Sequence, residues 1–465
     1  MPIDKIQNET IAAIATAPGV GAIAIVRLSG PDAFDVASSI FAVDKSAVTH
    51  TADLKSHIVQ HGYIVDSESK NVIDEVVLIP YKSPRSYTGE DLVEITCHGG
   101  PVVTSAILAL MLKHGARLAR AGEFTERAFL SGKLDLTQAE AVLDLIQAKT
   151  TRQSRMALSA LAGHLGGRIQ KIRLDLLNLM SAVVAGIDFP DEVGEADTNE
   201  VARISAESRT ALEDLTKTAR SGRFMRDGLR LAIVGRPNAG KSSLMNQLLK
   251  FERAIVTEIA GTTRDSLEEL LEFNGVPAIL IDTAGIRHTD DTVEKIGIER
   301  SRKAVAESDL VLFVVDLTAG FDETEREILN VIGARPFILI GNKVDVAKNN
   351  GHFAEAKSSN CVGALNISAV TGEGVDSVAG QVETWVFGES SLRNGQASLN
   401  QRQAELCSRA AVALQHVETT LASGLPQDCL ATDLKTAVDA LSEVCGESVS
   451  EEVIHQVFAN FCIGK

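Results

Sequence analysis

Basic charge is scarce in this chain: 45 Lys and Arg stand against 62 Asp and Glu, a formal net charge of −17. A protein that grips nucleic acid unaided needs a basic face for the phosphates, so that role is disfavoured. Six cysteines (Cys97, Cys361, Cys407, Cys429, Cys445 and Cys462) never form a C-x-x-C pair, and neither a zinc site nor a disulfide framework is indicated. No run approaches the ~20 apolar residues of a membrane span. The opening MPIDKIQNETIAAIA has neither the basic-then-apolar plan of a secretory signal nor an Arg/Ser-rich transit composition, so a cytoplasmic protein with reduced thiols is expected. Internal repeats and low-complexity segments are absent. One stretch departs from the acidic average: in KTARSGRFMRDGLR, Lys217, Arg220, Arg223, Arg226 and Arg230 meet a single acid, Asp227. With Gly222 and Gly228 it reads as a solvated hinge between domains.

What is present is chain enough for several cores. At ~150 residues per domain, 465 residues suggest about three. Residues 1 to 125 alternate β-type runs (AIAIVRLS, EVVLIPY, LVEITCHG) with a helical stretch, TSAILALMLKHG, and read as an α+β domain. Residues 126 to 225 place apolar side chains three and four apart, as in RIQKIRLDLLNLMSAVVAGI, the mark of amphipathic helices in a bundle. From 226 to 385 short apolar strands (LRLAIV, PAILIDT, LVLFVVD, PFILIGN) alternate with helical segments, the signature of a parallel sheet. Residues 386 to 465 are helical again. The simplest architecture inserts an α/β domain into a helical one.

The inserted part carries the chemistry. LAIVGRPNAGKSSLMNQLL holds Gly235-x4-Gly240-Lys241-Ser242 between a strand and a helix, a P-loop that contains Asn238 and Ala239 and is followed by Ser243. Its backbone N–H groups curl around phosphates at the positive end of a helix, Lys241 reaches the terminal phosphates, and the Ser242 hydroxyl ligates Mg²⁺. In IDTAG, Asp282 can hold the Mg²⁺ shell and the Gly285 N–H, after Thr283 and Ala284, can meet the γ-phosphate. In GNKVD, after Asn342 and Lys343, the Asp345 carboxylate accepts from guanine N1–H and the exocyclic amine, donors that adenine lacks in that arrangement, so the nucleotide is GTP. NISAVTGEG adds Ser368 and Ala369 as a loop under the base. In VTEIAGTTRD, Thr263 is the expected Mg²⁺ hydroxyl, with Thr262 as runner-up. Ile286 stands where Ras-like proteins carry a water-orienting glutamine. Catalysis must then draw on a monovalent cation near the Asn238 carbonyl, on a second subunit, or on an acid such as Glu294.

With these residues assembled, the chain resembles the MnmE (TrmE) family of bacterial and organellar tRNA modification GTPases along its whole length. PGVGAIAIVRLSG, SYTGEDLVEITCHGGP, AGEFTERAFLSGKLDLTQAEAVLDLI, GRPNAGKSSLMN, AGTTRD, DTAGIR, KIGIERS, NKVD and the closing FCIGK carry the likeness. It implies an α+β N-terminal folate-binding and dimerisation domain, an α-helical bundle domain and an inserted α/β P-loop GTPase (Ras-like) domain. It also implies a homodimer acting with an MnmG (GidA)-type flavoprotein carrying FAD, in a heterotetramer. Together they would add an aminomethyl-type group to C5 of the wobble uridine of certain tRNAs. The carbon would come from 5,10-methylenetetrahydrofolate, for which 5-formyltetrahydrofolate is an analogue. By position, Arg27, Glu94, Lys133 and Lys465 would contact folate. Asn238, Thr257, Ile259 and Thr262 would ligate K⁺, Ser242 and Thr263 would ligate Mg²⁺, and Glu294 would be the catalytic acid. Spacing alone would favour a plain surface ion pair for Arg27 and Glu94, and only the resemblance reverses that.

Two other classes compete. A ribosome-assembly GTPase shares GRPNxGKS but needs a basic appendage where this chain is acidic. A membrane-anchored switch would need Cys462 prenylated, yet C-I-G-K ends in Lys and no polybasic stretch precedes it. Cys462 instead reads either as a packed helix end or as a thiol brought with Lys465 to the N-terminal domain, where it takes part in the modification. In the second reading Gly464 lets the last residues leave the helix.

Overall fold

The computed structural model describes residues 9–44, 54–251, 269–281, 302–319, 321–347, 359–388 and 397–465. The chain divides into two compact units, residues 1–143 with 442–465, and residues 144–441.

The first unit is built on strands β1 Ile11–Ile14, β2 Ile23–Ser29, β3 Phe41–Ala42, β4 Gln60–Val65, β5 Val72–Tyr81, β6 Leu92–His98 and β7 Arg117–Leu118, in the sheet order β3-β4-β5-β6-β2-β1-β7. All neighbours run antiparallel except β1 with β7. Side chains alternate across a sheet. Val26, Leu28, Val93 and Ile95 therefore share one face with helices α1 Ala33–Ile40 and α2 Pro101–Lys113, where Ile40, Ile107 and Met111 complete the core. Residues of the other parity, among them Arg27 and Glu94, belong to the opposite face. There Ile11 and Ala13 pack with Phe124 and Tyr87. Helices α3 Glu123–Leu130, α4 Leu136–Gln147 and, from the end of the chain, Glu451–Ala459 add a small cluster of Leu136, Ala139, Ile454, Phe458 and Phe461.

In the second unit, strands β8 Leu229–Val234, β9 Glu269–Phe273, β10 Val276–Leu280, β11 Leu310–Asp316, β12 Phe337–Asn342 and β13 Cys361–Ile367 lie in the order β13-β12-β11-β8-β10-β9. Only the β9–β10 pair is antiparallel. Every residue of β11 is buried, because apolar clusters cover both faces of the sheet. Helices α5 Thr151–Leu161, α6 His164–Asp188, α7 Thr198–Lys217 and α8 Ala219–Asp227 precede the sheet. α9 Lys241–Phe251, α10 Glu323–Ile332 and α11 Asp376–Phe387 belong to it, and α12 Gln401–Ala422 and α13 Asp428–Cys445 follow. α7 packs along α12, where Arg209 donates to Glu418 at 2.9 Å. The final helix, Glu451–Ala459, is α14.

The stretch expected to be a solvated hinge is instead the packed helix α8. Phe224 and Met225 enter the core, and Gly222 lies against Ser398. Its cations are engaged locally: Arg220 stacks on Trp385 at 4.6 Å, Arg223 pairs with Asp309 at 2.6 Å, and Arg226 donates to the Leu399 carbonyl. The charges had masked an amphipathic face. No described helix is long and apolar enough to cross a membrane.

Candidate functional site

The phosphate loop turns from the end of β8 into α9. Asn238 adopts a left-handed φ of 62°, which asparagine tolerates better than most residues. Gly240 has φ 97°, and a Cβ there would collide with the Asn342 side chain, so only glycine lets the two loops close on each other. Ser242 and Ser243 occupy the first turn of α9, where backbone N–H groups point outward. The Lys241 ammonium donates to the Gly235 and Arg236 carbonyls at 2.8 Å each, and burial lowers its pKa to about 8.

The residues expected to read the base are tied to that loop. Buried Asn342 donates to the Ala239 carbonyl at 2.8 Å, and its Oδ1 accepts from the Ala369 N–H at 2.9 Å. A guanine oxygen would have to share that Ala369 donor. Ser368 is buried, and its hydroxyl accepts from the Thr371 N–H. Asp345 is exposed on the turn after Lys343. Lys343 has φ 72° and donates to Asp316 at 2.6 Å.

Asp316 and Arg236 were not singled out from sequence, yet they organise both loops. Burial would raise the Asp316 carboxyl, but hydrogen bonds from Lys343 and Thr318 hold it at about 2. Arg236, inside the phosphate loop, faces Asp316 at 3.6 Å, Asp322 at 3.5 Å and Glu325 at 3.2 Å. One signal was available: a lone carboxylate ends the apolar run LVLFVVD. Thr257, Ile259, Thr262, Thr263, Asp282, Thr283, Ala284, Gly285, Ile286 and Glu294 lie outside the described residues. Among the described residues no cluster of three or more His, Cys, Asp and Glu is fit to hold a metal.

A second constellation lies on the face of the first unit's sheet opposite α1 and α2. Register places Arg27 opposite Glu94, and the guanidinium donates to Glu94 at 2.6 and 2.9 Å. This is no plain surface pair. Arg27 also donates to the Gly464 carbonyl at 3.3 Å, lies over the Tyr87 and Phe124 rings at 5.6 and 5.5 Å, and Tyr81 reaches Glu94 at 3.5 Å. The chain leaves α14 at Asn460, before Gly464, and Phe461 is buried while Cys462 stays exposed. Gly464 therefore serves a different purpose from ending the helix. At φ 97° it lies against Ile14 and Ala15, where a Cβ would collide with backbone.

The tail is held mainly by main-chain groups. Gly122 and Phe124 N–H donate to the Cys462 and Lys465 oxygens at 3.4 and 3.2 Å, and Ala121 bridges Ile463. Glu123, fully buried, braces this segment. Its desolvation is overcome by Arg117, the Arg120 N–H and Arg127, which hold its carboxyl at about 2. Burial, and then Arg27, push the Lys465 ammonium below its ordinary value, against the pull of Glu94 and Cys462. Lys133 donates to Pro84 at 3.0 Å, on the loop that carries Tyr87. By contrast, the Cys97 thiol is pushed up to about 11 by burial, with Asp74 adding to the effect.

A P-loop and base-reading turns at the strand ends of a largely parallel sheet define a GTPase, here joined to an α+β sheet domain and a helical part. The family described as MnmE helical domain matches residues 136–462, and that described as GTP-binding protein TrmE N-terminus matches residues 10–133. The chain is 43% identical over 460 residues to the tRNA modification GTPase MnmE of Thermoanaerobacter pseudethanolicus, covering 98% of this chain and 99% of that one. Its identity to the Enterococcus faecalis protein of the same name is 42% over 460 residues, with 98% of each covered. Among solved structures, the G domain of the T. maritima FeoB iron transporter overlaps 34% of this chain and 98% of its own at 24% identity, with a TM-score of 0.26. The chain belongs to the MnmE (TrmE) family, and it is a GTP-hydrolysing enzyme of tRNA modification.

Proposed function

We propose that this enzyme, with an MnmG (GidA)-type flavoprotein carrying FAD, adds a (carboxymethyl)aminomethyl group to C5 of the wobble uridine (U34) of certain tRNAs. In this reading residues 1–125 bind folate and dimerise, 126–225 and 386–465 form the helical domain, and 226–385 form the GTPase domain. It acts in the cytoplasm as a homodimer that joins the flavoprotein in a heterotetramer. The observation that carries the reading is the tail: Gly464 and Lys465 meet Arg27, with Glu94 and exposed Cys462 beside them.

The residues present suit a reduced folate. The Glu94 carboxylate, whose Oε1 accepts from Arg27 and whose Oε2 accepts from Tyr81, has lone pairs left to accept from the N–H donors of a pterin ring, and Arg27 lies over the Tyr87 and Phe124 rings. Bound there, 5,10-methylenetetrahydrofolate supplies the one-carbon unit. Lys465, with its ammonium pKa lowered by burial, can hold or release a proton near Cys462, and Lys133 orders the Tyr87 loop.

At the nucleotide site, Asn238 to Ser243 cradle the phosphates of GTP, Asp345 reads guanine, and Ser242 with Thr263 holds Mg²⁺. Asn238, Thr257, Ile259 and Thr262 hold K⁺, and Glu294 positions the attacking water. These roles rest on motif position and on family likeness. The decisive experiment is Cys462→Ser. GTP hydrolysis and folding are expected to persist while modified wobble uridine disappears from tRNA nucleosides analysed by mass spectrometry. Normal levels of the modified nucleoside would place Cys462 outside the chemistry.

A further inference from the structure

Between the segment carrying Thr263 and the segment carrying Asp282 the chain makes one hairpin, β9–β10, closed by Asn274 and Gly275. Its open end is joined to the residues expected to meet Mg²⁺ and the γ-phosphate. Its closed end lies ~17 Å away, five residues at strand rise. That closed end is held by the start of α5. Thr150 caps α5 in a capping box with Gln153, and its hydroxyl donates to the Gly275 carbonyl at 2.9 Å. Arg152 donates to the Asn274 carbonyl at 3.2 Å and to Glu383 at 2.9 Å, while Asn274 donates to the other Glu383 oxygen at 3.1 Å. The three residues thus close a ring through the Asn274 main chain and the three side chains. The Arg152 guanidinium also stacks on Phe387, 3.9 Å from the ring centre, and only 12% of its side chain is exposed. Gln153 donates to Met225 at 2.5 Å.

We propose that Arg152 is a positioning residue that passes the nucleotide state of the GTPase site from the hairpin to α5. A fork that grips a hairpin turn, an acid on α11 and an aromatic face at once moves with the hairpin as one body. α5 follows α4 after three residues, Ala148 to Thr150, and the start of α4 packs on Phe458 and Phe461, just ahead of Cys462. In this proposal a change at α5 is passed on along the continuous α4–α5 chain, a consequence that rests on the role given to Cys462 above. The partners that place Arg152 and Glu383, namely Asn274, Phe387 and each other, all lie outside the phosphate loop and the NKVD turn, so the clamp is placed to transmit without taking part in hydrolysis.

The test uses the full-length protein and two variants, Arg152→Gln and the isosteric Glu383→Gln. Hydrogen exchange of residues 149–156 is compared in GDP and in a non-hydrolysable GTP analogue, beside GTP turnover and tRNA modification with the flavoprotein. Wild type is expected to show different exchange at the start of α5 in the two nucleotides. Both variants should lose that difference, keep GTP turnover within about twofold, and lose modification by about tenfold or more. Arg152→Lys, which keeps the charge toward Glu383, should recover part of it. The proposal is overturned if wild-type exchange is the same in both nucleotides, or if the variants retain the difference. It is equally overturned if turnover and thermal stability fall together with modification, since Arg152 would then only hold the fold. Should Cys462→Ser leave modification intact, the tail's role falls while the exchange comparison still decides the clamp.

Discussion

The nucleotide site and the tail site are assembled by different means. The phosphate loop is eight consecutive residues, 235–242, completed by turns at the ends of neighbouring strands in one sheet, and its donors are mostly main-chain groups. The tail site joins groups 437 positions apart, Arg27 and Gly464, and depends on the β2–β6 register, the bracing of Glu123 and the course of the last five residues. A contiguous loop keeps its geometry while its strand and helix stand. A composite site fails when any one contributor shifts. The two should therefore assemble independently of each other, even where nucleotide state is passed from one to the other, and with different sensitivity to small displacements.

The sharpest test of independence is Asp345→Asn. Replacing a charged double acceptor by an amide should lower GTP turnover at limiting substrate by about a thousandfold and confer use of XTP. The tail contacts, read in the nucleotide-free protein by the fluorescence of a dye on Cys462, should not change. Ordinary GTP turnover in this variant, read by phosphate release, would remove Asp345 from the base site. Gly464→Ala tests the other side. The added Cβ meets Ile14 and Ala15 from a left-handed backbone, and a displacement of about 1 Å should lower wobble-uridine modification by about a hundredfold. GTP turnover should stay at the wild-type value, and a parallel loss would mean the sites are not separable.

The smallest effect is one of pH. Burial lowers the Lys241 pKa to about 8 in the fold, below the ordinary lysine value of about 10.5, so the unfolded chain binds more protons between those limits. Stability of the nucleotide-free protein should therefore rise with pH across that window. Phosphate needs the ammonium, so affinity for GDP should fall above pH 8, by at most about tenfold per unit. Calorimetric titration from pH 7 to 9.5 checks this, and a flat profile would mean that Lys241 keeps its ordinary pKa.

How much of each site was legible follows from the same contrast. Gly235, Gly240, Lys241, Asn342 and Asp345 could be singled out directly because the chemistry expected of them needs fixed spacings between a strand end and the next turn. Asp316 escaped, although it joins Lys343 to Arg236, because its importance lies in the adjacency of β11 to β8 and β12, which no spacing reveals. Arg27 and Glu94 could be singled out only through family likeness, since by pattern they are two charges on different strands. The basic run ahead of β8 was misjudged because counting charges overlooked Phe224 and Met225, which turn it into a packed helix.

Taken alone, the sequence determined the order of folds along the chain and the nucleotide chemistry, since hydrophobic period and glycine spacing act over a few residues. It also determined that Cys462 and Lys465 lie close to each other. Only the tertiary structure decided where that tail goes. Two left-handed glycines, Gly122 and Gly464, allow the close approach of main chains that presents Cys462 outward while Lys465 turns toward Arg27. Contacts of that kind depend on strand register and on backbone groups common to every residue, and so leave no mark in the side-chain pattern.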